Sequence, residues 1–202
     1  WRWRSIDADL DFQALLGDDA DVSFGRLQGT PLMVDGVLYM LTALNQVAAL
    51  DAVTGEVLWT HDPRVYLSGP PISPLGFHHR GVAWWSDGDK SRVLVSTNDG
   101  YVISLIAETG EVDDSFSNGR IDLAEGIPRA DRSVPDWQGA QPVGAVSPPI
   151  VVGDILVVQQ ITSNRPHYKE RPPTWIRGYD VRSGDLEWTF HTIPQQGEFG
   201  VE

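Results

Sequence analysis

From Thr30 to His61 short apolar runs alternate with turn residues. Pro31 to Val34 is followed by Asp35-Gly36, Val37 to Thr42 by a turn near Asn45, and Val47 to Leu50 by a turn from Asp51 to Gly55. Glu56 to Thr60 closes the unit. Runs this short, rich in Val, Leu, Tyr and Trp and bounded by Gly or Asp, predict four antiparallel strands joined by tight turns. Four such strands make one blade of a β-propeller.

The unit recurs twice. The second copy reads RGVAWW, RVLVST, YVISLIAETG and EVDDSF between Arg80 and Phe116; the third reads SPPIVVGDILVVQQ, WIRGYDVRSG and DLEWTFHT between Ser147 and Thr192. In copies one and three an Asp stands four residues before the turn glycine (Asp51 before Gly55, Asp180 before Gly184) and a Trp four after it (Trp59, Trp188). The Asp can accept hydrogen bonds from turn amides, and Gly can take the positive φ the turn needs. The Trp offers a large flat surface to dock between blades, so Trp59 and Trp188 are both expected to be buried. Copy two keeps Gly110 but has Ile106 and Asp114 at those places, so its outer strand is expected to pack less tightly, with Asp114 facing solvent.

The expected fold is therefore all-β: about three blades of four antiparallel strands with tryptophan-docking-like motifs. Residues 1–29 are read as the outer strand of a preceding blade (Trp1 to Arg4) and a linker with one helical turn or loop. Blades span 30–62, 78–116 and 146–193, a long connection fills 117–145, and 194–202 begins the next link. A closed propeller has about four to eight blades and pairs its ends. Three blades and an orphan strand leave open sheet edges, which predicts a segment of a longer ring, or association through those edges.

Composition narrows the chemistry. Lys plus Arg number 15 and Asp plus Glu 28, a net charge of -13, which argues against a nucleic-acid partner read through its phosphates. There is no cysteine, hence no disulfide framework or thiolate metal site. No run approaches the roughly 18 apolar residues of a membrane-spanning helix, and no signal peptide is visible. The chain opens on Trp1 rather than Met, which leaves its destination open.

The polar residues at the strand starts carry the candidate chemistry. Arg80 precedes the first strand of blade two, which in a propeller lines the central channel. There it is either a five-donor fork for a carboxylate or a half-buried partner of an acidic loop residue. His78 and His79, adjacent on a strand start, point to opposite faces and make poor joint metal ligands. Ser147 is a ligand donor or a simple strand lead-in, and for Thr162, Ser163 and Asn164 turn capping is the plainer reading. Trp84 and Trp85 face opposite sides of one strand. No spacing marks a carboxylate pair or a calcium loop.

The order LQGTPLMVDGVLYM, HHRGVAWW, TNDGYVISLIAETGEVDDSFSNGRIDL, VSPPIVVGDILVV and WIRGYDVRSGDLEWTFHTIPQQGEFG resembles the N-terminal part of the pyrroloquinoline quinone (PQQ)-dependent dehydrogenases. These are eight-bladed quinoproteins that include bacterial glucose and alcohol dehydrogenases. The likeness implies periplasmic oxidation of a small alcohol or sugar, with electrons passed to a respiratory membrane quinone or a cytochrome. It carries cofactor contacts onto Arg80, Gln28, Ser147 and His79, and onto Thr162 or Ser163 at the place of a calcium-binding Glu. His79, with His78, stands where methanol-dehydrogenase-like members have adjacent cysteines. These departures favour the membrane-bound glucose-dehydrogenase-like side. The likeness also implies a divalent cation, calcium or magnesium, whose other ligands, like the catalytic Asp, fall beyond Glu202. Two other readings remain at this point: a non-enzymatic cell-envelope scaffold for protein partners, and a carbohydrate-binding propeller that uses Trp84, Trp137 or Trp175.

Overall fold

Turn chemistry divides the first repeat into β1 (Leu32–Val34), β2 (Val37–Leu41), β3 (Val47–Asp51) and β4 (Val57–His61), hydrogen-bonded antiparallel in that order. Asp35 and Gly36 both take positive φ, 48° and 82°, the twist a two-residue hairpin requires. The computed structural model describes residues 1–16, 25, 27–69, 71–73, 75–128, 130, 143–162 and 172–201. The second sheet is β5 (Ala83–Ser86), β6 (Ser91–Ser96), β7 (Tyr101–Ile106) and β8 (Arg120–Asp122). Then follow β9 (Val143–Gly144), β10 (Ile150–Val152), β11 (Ile155–Gln159), β12 (Ile161–Thr162), β13 (Ile176–Asp180) and β14 (Leu186–Phe190). Strands β10, β11, β13 and β14 form the third sheet, while β12 pairs with β9.

Two expectations about the edges change. Trp1 to Arg4 is not a strand, and among the described residues no strand pairs with it. Trp1 still docks: its ring lies against Gly55 and its indole N–H donates to the Ala52 carbonyl at 3.2 Å. The fourth strand of the second sheet is Arg120–Asp122 and not Glu111 to Phe116, so that sheet reaches past residue 116. Only one bridge, Leu105 to Val112, ties 111–116 to the sheet. Asp113 breaks the strand there by accepting the Ser115 N–H and O–H and turning the chain toward Phe116.

Side chains alternate across the middle sheet, as a period of two requires. Trp84, Val93, Val95, Ile103 and Leu105 join Tyr39, Leu41, Val47 and Trp59 of the first sheet in one core. Trp85, Leu94 and Val102 join Phe116, Leu156, Val158 and Tyr179 in a second core against the third sheet. Trp84 and Trp85 thus serve the two different cores. The outward face of the third sheet has no such neighbour among the described residues. Trp188, expected to be buried, is 41% exposed there with Ile150, Leu186 and Phe190, whereas Trp59 is 9% exposed.

The repeated turns behave as their residues dictate. Asp51 accepts the Val53 and Thr54 N–H groups and Asp180 those of Arg182 and Ser183. Gly110 has φ 74°, and a Cβ on it would sit 2.4 Å from the Trp59 ring, so its lack of a side chain is what lets that indole dock.

Ahead of the first sheet, Ile6–Asp9 is a 3-10 turn and Phe12–Leu16 a single helical turn. Leu10 and Phe12 pack on Leu44, Val65, Tyr66 and Phe77. The Pro-rich crossing from 62 to 76 carries a 3-10 turn at Val65–Ser68.

Candidate functional site

The first strand of each sheet starts where the second strand ends, so the lead-ins to β1, β5 and β10 share one end of the molecule with the β2–β3 and β6–β7 turns. These lead-ins are stitched together. Thr30 N–H donates to the Arg80 carbonyl at 2.8 Å, and Arg80 N–H to the Val146 carbonyl at 3.2 Å. Residues from three separate repeats thereby become neighbours.

At their centre Arg80 Nη1 donates to Ser147 Oγ at 3.1 Å. Both residues are exposed, and among the described residues Arg80 forms no ion pair; the acidic residues of 17–24 and 131–142 lie outside the described residues. One guanidinium N–H is committed to Ser147, leaving a planar fork for a ligand. Ser147 Oγ accepts that bond and keeps its own proton to donate. Gln28 is exposed on the first lead-in, two residues before Thr30, with no side-chain hydrogen bond among the described residues. Together the three present donors suited to carboxylate or carbonyl oxygens at one edge.

His79 does not line this surface. Its ring is 1% exposed, 3.1 Å from Ser96 Oγ through Nε2, with the Gly81 N–H aimed at Nδ1. Burial, reinforced by the positive charge of Arg80, pushes the imidazole pKa down to about 3, so the ring is neutral. His78, also buried, bonds the Gly76 carbonyl through Nδ1 at 2.9 Å. The two rings have separate partners, and among the described residues no three His, Asp or Glu side chains cluster as a metal site.

Thr162 is half-buried and opposite Val143 in the β9–β12 ladder, with no hydrogen bond to Arg80 or Ser147. Ser163 and Trp137 lie outside the described residues. Trp84 packs in the first core and Trp175 against His191, ring centroids 4.4 Å apart, so neither is an open platform for a sugar.

Sequence reasoning missed Ser96 and Asn98. Ser96 O–H donates to the Ser147 carbonyl at 2.7 Å. Asn98 N–H donates to Asn45 Oδ1 at 2.7 Å and its side-chain amide to the His78 carbonyl at 2.9 Å. The available signal was a polar run, Ser96 to Asp99, ending an apolar strand. It aligns with Leu41 to Leu44 in the first repeat, since Thr42 N–H bonds Gln46 O as Thr97 N–H bonds Tyr101 O.

The family model described as "PQQ: Glucose/ethanol/alcohol dehydrogenase, beta-propeller domain" matches residues 1–202. The chain is 32% identical over 168 residues to the quinohemoprotein alcohol dehydrogenase ADH IIB of Pseudomonas putida, covering 83% of this chain and 20% of that protein. It is 29% identical to quinoprotein glucose dehydrogenase A of Acinetobacter calcoaceticus, covering 88% of this chain and 23% of that one. These two identities do not separate an alcohol-type from a glucose-type relative. Among solved structures it is similar to the quinohemoprotein alcohol dehydrogenase of Comamonas testosteroni, with TM-score 0.63, 23% identity and coverage of 86% of this chain and 22% of that one. A second, ADHIIG of Pseudomonas putida HK5, gives TM-score 0.60 and 26% identity, with coverage of 87% and 22%. The chain spans about a fifth of the length of these relatives.

Proposed function

Because this chain belongs to the PQQ-dependent glucose, ethanol and alcohol dehydrogenase β-propeller family, we propose that it is part of a quinoprotein oxidising an alcohol or a sugar with bound pyrroloquinoline quinone. The observation that carries the reading is the exposed pair Arg80–Ser147, whose donors converge at the shared end of two sheets. That donor set fits a planar group bearing several carboxylates, because a guanidinium fork and a hydroxyl each bind such oxygens directionally.

When bound, the quinone supplies a two-electron acceptor. Arg80 holds a cofactor carboxylate, Ser147 donates its O–H to the same edge, and Gln28 adds an uncharged hydrogen bond from the first lead-in. None of the three reacts; they fix orientation, which is the protein's part in cofactor chemistry. Electrons leave to a membrane quinone or a cytochrome, and the setting is the periplasm. A divalent cation, calcium or magnesium, completes the cofactor site, and none of its ligands is assigned to the described residues. A protein-binding scaffold gives no reason to keep an exposed guanidinium aimed at a hydroxyl among these lead-ins.

The test is titration of the full-length apo protein with pyrroloquinoline quinone, followed by tryptophan fluorescence and cofactor absorbance. A charge-assisted fork is worth about 1.5 to 3 kcal/mol, so Arg80→Ala should weaken binding by about 10- to 150-fold. Arg80→Lys should recover only part, since it keeps the charge and loses the fork. Unchanged affinity in Arg80→Ala, or a full-length protein that binds no quinone, overturns the reading.

A further inference from the structure

We infer that His79 and Ser96 are positioning residues for the cofactor edge, locking Ser147 from behind so that its hydroxyl offers one directed donor to a cofactor carboxylate. This rests on the pyrroloquinoline quinone reading of the Arg80–Ser147 pair.

The relay has a determined direction. Gly81 N–H points at His79 Nδ1, 3.3 Å away, so Nδ1 is the acceptor and the neutral ring carries its proton on Nε2. Nε2–H then donates to Ser96 Oγ at 3.1 Å. Ser96 has a single proton, and it goes to the Ser147 carbonyl at 2.7 Å. Ser147 is therefore held at its carbonyl by Ser96 and at its Oγ by Arg80. With both fixed, the remaining degree of freedom is the hydroxyl proton, and Ser147 itself is exposed.

Burial makes the relay stiff. Ser96 is 0% and His79 1% exposed, so water does not compete for either group, and burial keeps the imidazole neutral. The repeat does not require this arrangement. In the first sheet the residue equivalent to Ser96 is Leu41, fully buried and apolar, and that sheet packs without a relay. A buried hydroxyl at such a position is unfavourable unless bonded, so its presence calls for a role beyond filling space.

The experiment is pyrroloquinoline quinone titration of full-length apo variants by tryptophan fluorescence quenching, with each apo thermal midpoint measured alongside. Ser96→Ala should weaken binding by about 2- to 10-fold, the range of one neutral hydrogen bond. His79→Leu should match it. Ser96→Thr, which keeps the hydroxyl, and His79→Gln, whose amide nitrogen replaces the Nε2 donor, should bind nearly as wild type. In a Ser147→Ala background Ser96→Ala should add nothing, because the group it positions is gone. Full additivity of those two changes, or wild-type affinity in Ser96→Ala and His79→Leu with only the apo midpoint lowered, reduces the relay to a blade-to-blade stitch and overturns the inference. If Ser96→Ala does not fold, His79→Leu against His79→Gln carries the same comparison. Should Arg80→Ala and Ser147→Ala also bind normally, the cofactor reading itself falls and takes the relay with it. Weak binding in those two beside normal binding in the relay variants overturns the relay alone.

Discussion

Between the first and second sheets Trp59 lays its ring on Gly110 and donates its indole N–H to the Ala107 carbonyl at 2.9 Å. Between the second and third, the equivalent carbonyl, Val181, receives the Arg92 guanidinium instead. Arg92 also bonds the Arg182 carbonyl, Ser115 and Asp113, and lies 5.5 Å from the Trp85 ring and 5.8 Å from Phe116. Both solutions supply a flat surface and an N–H donor for one turn carbonyl. Arginine brings a charge, however, and that charge is 3% exposed, so the Asp113 carboxylate at 2.7 Å is obligatory. The second copy was expected to pack less tightly for want of a docking Trp. Its outer segment does leave the ladder after Val112, yet Arg92, Asp113 and a fully buried Phe116 fill the interface.

The largest expected effect follows from that ion pair. Arg92→Leu leaves Asp113 buried without its partner and the Val181 carbonyl without its donor, and should lower stability by about 3 to 5 kcal/mol. Arg92→Leu with Asp113→Leu should be markedly less harmful, because removing both charges removes the orphan. Urea unfolding followed by tryptophan fluorescence checks this. An Arg92→Leu change under about 1 kcal/mol would mean the pair behaves as an exposed one.

Acid separates the inner rim from the ion pair. The buried His79 ring has a folded pKa of about 3 against an ordinary 6.5. As pH falls below 6.5 the unfolded chain takes up this proton first, so the folded state loses roughly 2 to 3 kcal/mol by about pH 4.5. His61 on β4 is lowered in the same sense by burial. Asp113 acts in another window. Burial pushes its carboxyl up, but the Ser115 hydrogen bonds and the Arg92 guanidinium reverse this and hold it below the ordinary 3.8. Its contribution is complete above 3.8 and is lost only as pH falls below that, through the folded value. Stability measured from pH 7 to 4.5 should therefore flatten in His79→Gln and keep its slope in Arg92→Leu. An unchanged slope in His79→Gln would place the proton uptake elsewhere.

What was legible in the sequence was whatever is local. The Asp51 and Asp180 turns, the turn glycines and the opposite facing of Trp84 and Trp85 all follow from spacings of a few residues. Arg92 was not legible, because its partners lie 21 residues away at Asp113 and 89 away at Val181. For the same reason nothing in the polar run at Ser96 announced a bond to Ser147, 51 residues on. Arg80 and Ser147 were singled out by their strand-start positions, which is a topological signal, but that they meet each other is information only the folded chain holds. Trp188 shows the limit of pattern in the other direction. Its motif matches that of Trp59, yet burial depends on a neighbouring sheet, which the motif does not carry.

The smallest effects test whether Trp59 and Asp114 really occupy the same place in their repeats, four residues after Gly55 and Gly110. Trp59→Phe keeps an aromatic ring against Gly110 and Tyr39 but loses the indole N–H to Ala107. The expected loss is about 1 to 2 kcal/mol, near the low end for a buried acceptor stripped of its donor, because the Tyr39 hydroxyl stays 3.5 Å from the same carbonyl. Asp114 is exposed and does none of this; Phe116 and Arg92 do it in its stead. Asp114→Ala should therefore lie within about 0.5 kcal/mol of wild type. Urea midpoints of the two variants, read side by side, decide the matter: the division of labour at the second interface stands if only Trp59→Phe shifts, and a comparable loss in Asp114→Ala would mean that the outer segment of the middle repeat docks through Asp114 after all.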